Sequence, residues 1–127
     1  MPSLAHAFER ILICRTDNIG DVVLTLPLAG YLKQHYPGVQ VDFLVRGYAA
    51  PVVRLSRFVD QVYCQEDLGD ASCFFAKGAW TTVIFAFPQR ALASAAKRAR
   101  LRVAALAGYA LRRGRLELPV ALGLSVE

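Results

Sequence analysis

Residues 13–27 read ICRTDNIGDVVLTLP, and the polar gap between its two apolar ends gathers Arg15, Thr16, Asp17, Asn18, Gly20 and Asp21. Gly20 can give the backbone a tight turn, or let a ligand approach it closely. Asp21, at the start of the helical pattern that follows, can take a proton from a bound hydroxyl. The ordinary readings are as concrete. An Asp on a first helical turn caps the helix or meets its dipole, Asp17 and Asn18 are turn formers, and Arg15 pairs with Asp17. Spacing alone therefore predicts a ligand-binding loop and leaves its chemistry open. A dinucleotide fingerprint is excluded, because GxGxxG needs three glycines and this loop has one. No GxxxxGK[ST] occurs either.

The elements that must hold this loop are legible around it. RILICR (10–15), VQVDFLV (39–45), DQVYCQ (60–65), TTVIFAF (81–87) and LRVAAL (101–106) have the length and β-branched content of buried strands. Helical patterns lie between them at about 20–35, 48–57, 70–78 and 89–100. A β-α-β-α series predicts an α/β fold, a Rossmann-like three-layer sandwich with a mostly parallel sheet of about five strands and right-handed crossovers. Ligands of such sheets bind at the carboxyl ends of the strands, which is where residues 15–21 fall. The N–H groups of Ile19, Gly20 and Asp21 would open the first helix and favour an anion or a developing negative charge. Pro37-Gly38 ends that helix, and Pro27 inside it predicts a kink by freeing the carbonyl of Val23.

Composition limits the rest. The 127 residues suit about one domain, expected over 1–107, with 108–127 as a tail or the start of a connection to a further domain. Hydrophobic residues make up 55% and mean hydropathy is +0.35, so some apolar surface is expected to meet a partner, a second domain or a membrane edge. MPSLAHAFER does not resemble a signal peptide and no run reaches the roughly 18 apolar residues of a span, so a cytoplasmic protein is expected. Cys14, Cys64 and Cys73 lack CxxC spacing, which argues against disulfides and against a metal site; Cys14 and Cys64 read as core, Cys73 as exposed. His6 and His35 have no partners in sequence. Residues 90–115 hold Arg90, Lys97, Arg98, Arg100, Arg102, Arg112, Arg113 and Arg115 without an acid, which accounts for the net charge of +5. A solvated helix face is the ordinary reading; a phosphorylated glycolipid or the anionic inner membrane is the functional one. No nucleic-acid-binding motif accompanies the charge, and no nucleic acid is expected.

The stretch RTDNIGDVVLTLPLAGYLKQHYPGVQVDFLVRGYAAPVV, followed by FVDQVYCQE, resembles the N-terminal end of glycosyltransferase family 9, the ADP-heptose:lipopolysaccharide heptosyltransferases. The family pattern is a strand, R-x-D-x-[IL]-G-D, an apolar helix with an early Pro, L-K-x-x-x-P, a second strand ending L-V, and a V-D-x-V strand. It is met at Arg15, Asp17, Gly20, Asp21, Pro27, Leu32, Lys33, Pro37, Leu44, Val45, Val59, Asp60 and Val62, covering residues 10–65. Beyond that the likeness thins: where the family follows its fourth strand with an Asp and a polar loop, this chain has Phe85, Ala86, Phe87 and Pro88. LRVAALAGYALRRGR resembles only loosely the family's R-[IV]-G strand and the basic stretch after it.

The resemblance implies the N-terminal half of a GT-B enzyme, with a glycan or lipopolysaccharide-core acceptor on this domain. Asp21 would be the general base for an inverting, metal-free transfer. Arg15, Thr16, Asp17, Asn18 and Gly20 would contact or orient the acceptor. No cofactor is implied; the ADP-heptose-like donor is expected on a C-terminal Rossmann-like domain that this chain has no room for, which would leave the isolated chain inactive, in need of that partner or prone to self-association. A non-catalytic α/β module that holds a sugar or phosphate, and an inactive remnant, are the alternatives.

Overall fold

The computed structural model describes residues 10–87 and 89–105. Their order is β1 (Arg10–Arg15), α1 (Ile19–His35), β2 (Gln40–Val45), a 3-10 turn (Gly47–Ala49) that runs into the short α2 (Ala50–Val53), then β3 (Gln61–Cys64). A second 3-10 turn (Gln65–Asp67), α3 (Ala71–Lys77), β4 (Thr82–Phe85), α4 (Arg90–Arg98) and β5 (Arg102–Ala105) complete it.

Every interior residue of RILICR is apolar, so β1 is covered on both faces. Ile11 and Ile13 pack with Val22, Leu28 and Leu32 of α1 and with Ala50 and Val53 of α2. Leu12 and Cys14 face the other way, onto Phe75, Trp80 and the Leu92, Ala95 and Ala96 side of α4. The two cores follow from the alternation of side chains along each strand, Phe43 and Val45 joining the first and Leu44 the second. All five strands are parallel in the order β3-β2-β1-β4-β5, as the β-α series predicts. Leu32 is fully buried, and truncating it to Ala would cost about 2–5 kcal/mol.

Two short contacts fasten the strands. Lys33 Nζ lies 2.6 Å from Asp60 Oδ2, which also accepts the amide of Val41 at 2.8 Å. The end of α1, the start of β2 and the approach to β3 are thus tied through one carboxylate. After α1, Gly38 takes φ +87°, a left-handed value that glycine meets without strain.

A polar cluster also lies inside the second core. Asp42 is wholly buried and accepts Arg10 Nε at 2.9 Å, Trp80 Nε1 at 2.8 Å and Gln40 Nε2 at 3.3 Å. Arg10 further donates to the carbonyl of Gly78 and to Tyr63 Oη, the latter at 3.1 Å, and its guanidinium sits 5.0 Å from the centre of the Trp80 ring.

Some expectations need correction. β3 is an edge strand, so its residues are exposed or half-buried, and Cys64 is half-buried at the margin of the core. The helix expected over 48–57 shrinks to a 3-10 turn and a single α turn, and residues 54–55 and 57–58 are turns. α1 passes through Pro27 without interruption, with Pro27 on its exposed side. Cys14 is buried, which pushes its thiol well above the usual range, and Cys73 is exposed. His35 stacks on Tyr31, ring centres 4.1 Å apart. His6, the segment 108–127 with Arg112, Arg113 and Arg115, and the 107/108 boundary lie outside the described residues. Among the described residues no helix is long and apolar enough to cross a membrane, and no three His, Cys, Asp or Glu side chains converge as a metal site.

Candidate functional site

From β1 the chain turns toward β2 by way of α1, and from β4 toward β5 by way of α4, on the opposite face of the sheet. Strand order therefore reverses between β1 and β4, and a crevice opens at their carboxyl ends, the usual ligand position in such sheets. Arg15 ends β1 at this point. Its Nη1 donates to the carbonyl of Ala86 at 2.6 Å, while the amide of Ala86 donates to Cys14 at 3.0 Å. The guanidinium thus spans the floor of the crevice from one strand to the other.

The rest of the guanidinium is held by carboxylates. Arg15 Nη2 donates to Asp17 Oδ2 at 2.9 Å and Nε stands 2.8 Å from Asp17 Oδ1, a forked ion pair that compensates two atoms with no hydrogen bond of their own. Asp21 Oδ1 is farther, 3.5 Å from Nη2. Exposure rises outward along the cluster, from 13% for the Asp17 side chain to 41% for Asp21. Asp21 sits in the first turn of α1, where the helix dipole favours its charge. Its carboxylate accepts no hydrogen bond among the described residues, so it can receive one from a ligand. It does not cap the helix: Asn18 holds the cap position, exposed, extended, and without a side-chain cap bond.

Tyr48, which the sequence reading did not single out, completes the entry to α1. Its hydroxyl accepts the amide of Ile19 at 2.9 Å and donates to the carbonyl of Asp17 at 3.2 Å. Ile19 is therefore removed from the trio of N–H groups expected to meet an anion; among the described residues Gly20 and Asp21 keep theirs. The turn carrying Tyr48 is anchored in its own right, since the amide of Gly47 donates to both oxygens of Glu66 at 2.9 Å.

The remaining predicted residues divide. Thr16 is buried, and its hydroxyl accepts Gln89 Nε2 at 2.8 Å, tying the end of β1 to the entry of α4. Gly20 is helical and has no positive φ, so the tight-turn reason for a glycine there does not hold. A Cβ at Gly20 would meet nothing within 4 Å, so the open side that a ligand could approach remains. Phe85, in the region where an acid was looked for, is buried in the second core. Of the residues missed, Ala86 acts through its carbonyl, which has no side-chain signature. Tyr48, three residues past the strand-ending L-V, was the one visible signal. The arrangement amounts to a fixed cation at the base of a crevice and a half-exposed carboxylate at its rim.

No family model matches the chain. A protein of Haemophilus influenzae named "Putative glycosyltransferase" is 30% identical over 66 residues, which are 52% of this chain and 19% of that protein. The structure of E. coli heptosyltransferase WaaC with ADP superposes with a TM-score of 0.56 and 22% identity over 76% of this chain and 34% of that one. The crystal structure of the glycosyl transferase family 9 protein from Veillonella parvula gives a TM-score of 0.60 and 18% identity over 77% and 31%. The chain spans about a fifth of the curated relative and about a third of these solved chains. The described residues thus carry the α/β fold of GT-B glycosyltransferases of family 9, the family whose pattern residues 10–65 resemble.

Proposed function

We propose that this chain is the acceptor-side part of a heptosyltransferase-like glycosyltransferase, with Asp21 as the general base. The observation that carries the reading is the placement of Asp21: 41% exposed, at the switch point of the sheet, with no hydrogen bond to its carboxylate among the described residues and Arg15 held beside it chiefly by Asp17. In the reaction an acceptor sugar hydroxyl gives its proton to Asp21 while its oxygen bonds to the anomeric carbon of a nucleotide-sugar. The bond from that carbon to the diphosphate breaks, and the diphosphate leaves with the electron pair, so the anomeric centre is inverted. Arg15 positions Asp17 and Asp21, and Tyr48 fixes the start of the helix that carries the base. The acceptor is a glycan of the lipopolysaccharide-core type. The donor, ADP-heptose or a similar nucleotide-sugar, is held outside the described residues, whose switch-point loop has no glycine-rich phosphate cradle.

Asp21→Asn tests the base. In a chain that also carries a donor-binding half, turnover is expected to fall by roughly 100-fold or more with acceptor affinity kept. Turnover like that of the parent would remove Asp21 from the chemistry. The second reading, a non-catalytic sugar- or phosphate-binding module, is favoured by the Arg15–Asp21 contact, which gives Asp21 a structural partner. It predicts that the same variant weakens ligand binding instead. Calorimetry of the 127 residues with ADP-heptose is expected to give little or no heat of binding. Tight binding would put the donor site on this chain.

A further inference from the structure

The large apolar side chains left most open to water among the described residues share one side of the sheet. Leu24 is 78% exposed on the outer face of α1 and Leu55, just after α2, is 85% exposed; Val23 and Tyr48 are about half exposed. At helical spacing Gly20, Val23, Leu24 and Pro27 form one stripe along α1, all exposed and none charged. The loop bearing Leu55 is fastened to α1, because the Phe58 ring lies against Gly30, 3.2 Å from where a Cβ would stand.

Cations frame these side chains. The stretch RGYAAPVVRLSR, 46–57, contains three arginines and no acid. Arg46, Arg54 and Arg57 are exposed, and none has an ion pair among the described residues; Arg46 stands over the Tyr48 ring at 5.6 Å and Arg57 over the Phe58 ring at 4.8 Å. Four acids of the adjoining segments have partners of their own, Asp17 and Asp21 with Arg15, Asp60 with Lys33, Glu66 with the amide of Gly47. Exposed leucines beside unpaired arginines and an interfacial tyrosine are the chemistry of a surface that meets acyl chains and lipid phosphates together.

We infer that the α1/α2 side of this chain docks on an anionic phospholipid bilayer, with Leu24, Leu55 and Tyr48 entering the interface and Arg46, Arg54 and Arg57 meeting lipid phosphates. The basic α4 lies across the sheet from this surface and takes no part. Docking stands independently of the proposed chemistry. Where it meets that reading is Tyr48, which belongs both to the docking surface and to the entry of the site, so that the crevice would open beside the bilayer, where an acceptor glycan carried on a lipid is presented.

Sedimentation of the chain with phosphatidylglycerol-rich and with pure phosphatidylcholine vesicles tests this. The parent is expected to pellet with the anionic vesicles alone, less so as salt rises. Leu24→Ser with Leu55→Ser should weaken binding on the order of tenfold, and Arg54→Gln with Arg57→Gln on the order of tenfold or more, with a flatter salt dependence. Lys97→Gln with Arg98→Gln on α4 should change nothing. All six positions are solvent-facing, and circular dichroism checks that each variant keeps its fold. Equal binding to both vesicles, binding to neither, or a loss that follows the α4 pair would overturn the inference. So would light scattering in which the serine pair turns a dimer into a monomer without any vesicle binding, which would assign the face to a second copy of the chain.

Discussion

β1 begins with one arginine and ends with another, and each is paired with aspartate. At the first end Asp42 is closed in: it is wholly buried, its oxygens are taken by Arg10, Trp80 and Gln40, and the partly exposed Arg10 is held in turn by Tyr63 and the carbonyl of Gly78. At the second end, Arg15 is shared between a nearly buried Asp17 and a half-exposed Asp21, and the outer carboxylate is left with room for something else. The residue types are the same. What separates a structural pair from a candidate site is whether the surrounding fold completes the coordination of the carboxylate.

This contrast predicts very different costs at the two ends. Asp42→Ala leaves a partly exposed guanidinium and a buried indole N–H without their acceptor, and should destabilise the chain by about 2–4 kcal/mol in urea denaturation. A cost below about 1 kcal/mol would show that water reaches the cluster. Arg15→Met comes next, at about 1.5–3 kcal/mol, because it removes charge-assisted hydrogen bonds and leaves Asp17 and the carbonyl of Ala86 without their partner. Tyr48→Phe removes the acceptor for the amide of Ile19 at a site open to water, and about 0.5–1.5 kcal/mol is expected. Asp21→Asn should cost less than about 1 kcal/mol in stability, against its large expected effect on transfer. Should the order of Asp42 and Asp21 be reversed, the assignment of structural and functional ends would be wrong.

Asp70, on the surface, supplies the smallest effect. It caps α3 by accepting the amide of Cys73 at 3.0 Å. A hydrogen bond from the Cys73 side chain, then the backbone bond, holds its carboxyl below the usual range, while the same contact holds the Cys73 thiol above its own. The sign for Asp70 follows: its contribution is full above the ordinary carboxylate range and lost as pH falls through the lowered value. For Cys73 the contribution is full below the ordinary thiol range and lost as pH rises through the raised one. Asp70→Asn should therefore flatten the acid side of a Tm against pH curve and speed alkylation of Cys73 at about pH 8.5, with Cys14 inert in both proteins. An unchanged alkylation rate would mean that the contact does not persist in solution.

The strands and the loop were legible because their signals are local. RILICR carries its own length, its β-branched content and the polar break at Arg15, and the boundary found is the one those residues imply. Burial of β3 was overread because an apolar run does not say whether a strand is central or at an edge. The 48–57 helix was overread because the stretch has helix-forming residues, whereas the chain turns again at Arg54 to place Phe58 against Gly30. Asp42 was passed over as one polar residue in VQVDFLV, since the groups that make it tolerable inside, Arg10 and Trp80, are 32 and 38 residues away. In the site, Asp17 and Asp21 stood out by type, and the Ala86 carbonyl could not.

Those separations along the chain bear on how the domain assembles. Asp42 is bound by groups from β1, from its own strand and from the start of the β4 segment, and Arg10 reaches the carbonyl of Gly78, 68 residues on. A partly formed sheet lacking the β4 segment would take the indole from Asp42 and the Gly78 carbonyl from Arg10, at a cost of about 1–3 kcal/mol for each buried group left unsatisfied, a large share of the stability of a small domain. Half-folded intermediates should thus be scarce and the transition all-or-none. Trp80 is the one tryptophan of the chain and sits against that cluster, so its fluorescence in a urea titration should change in step with the far-ultraviolet dichroism of the helices. Two separated transitions would show that the carboxylate is no checkpoint on folding.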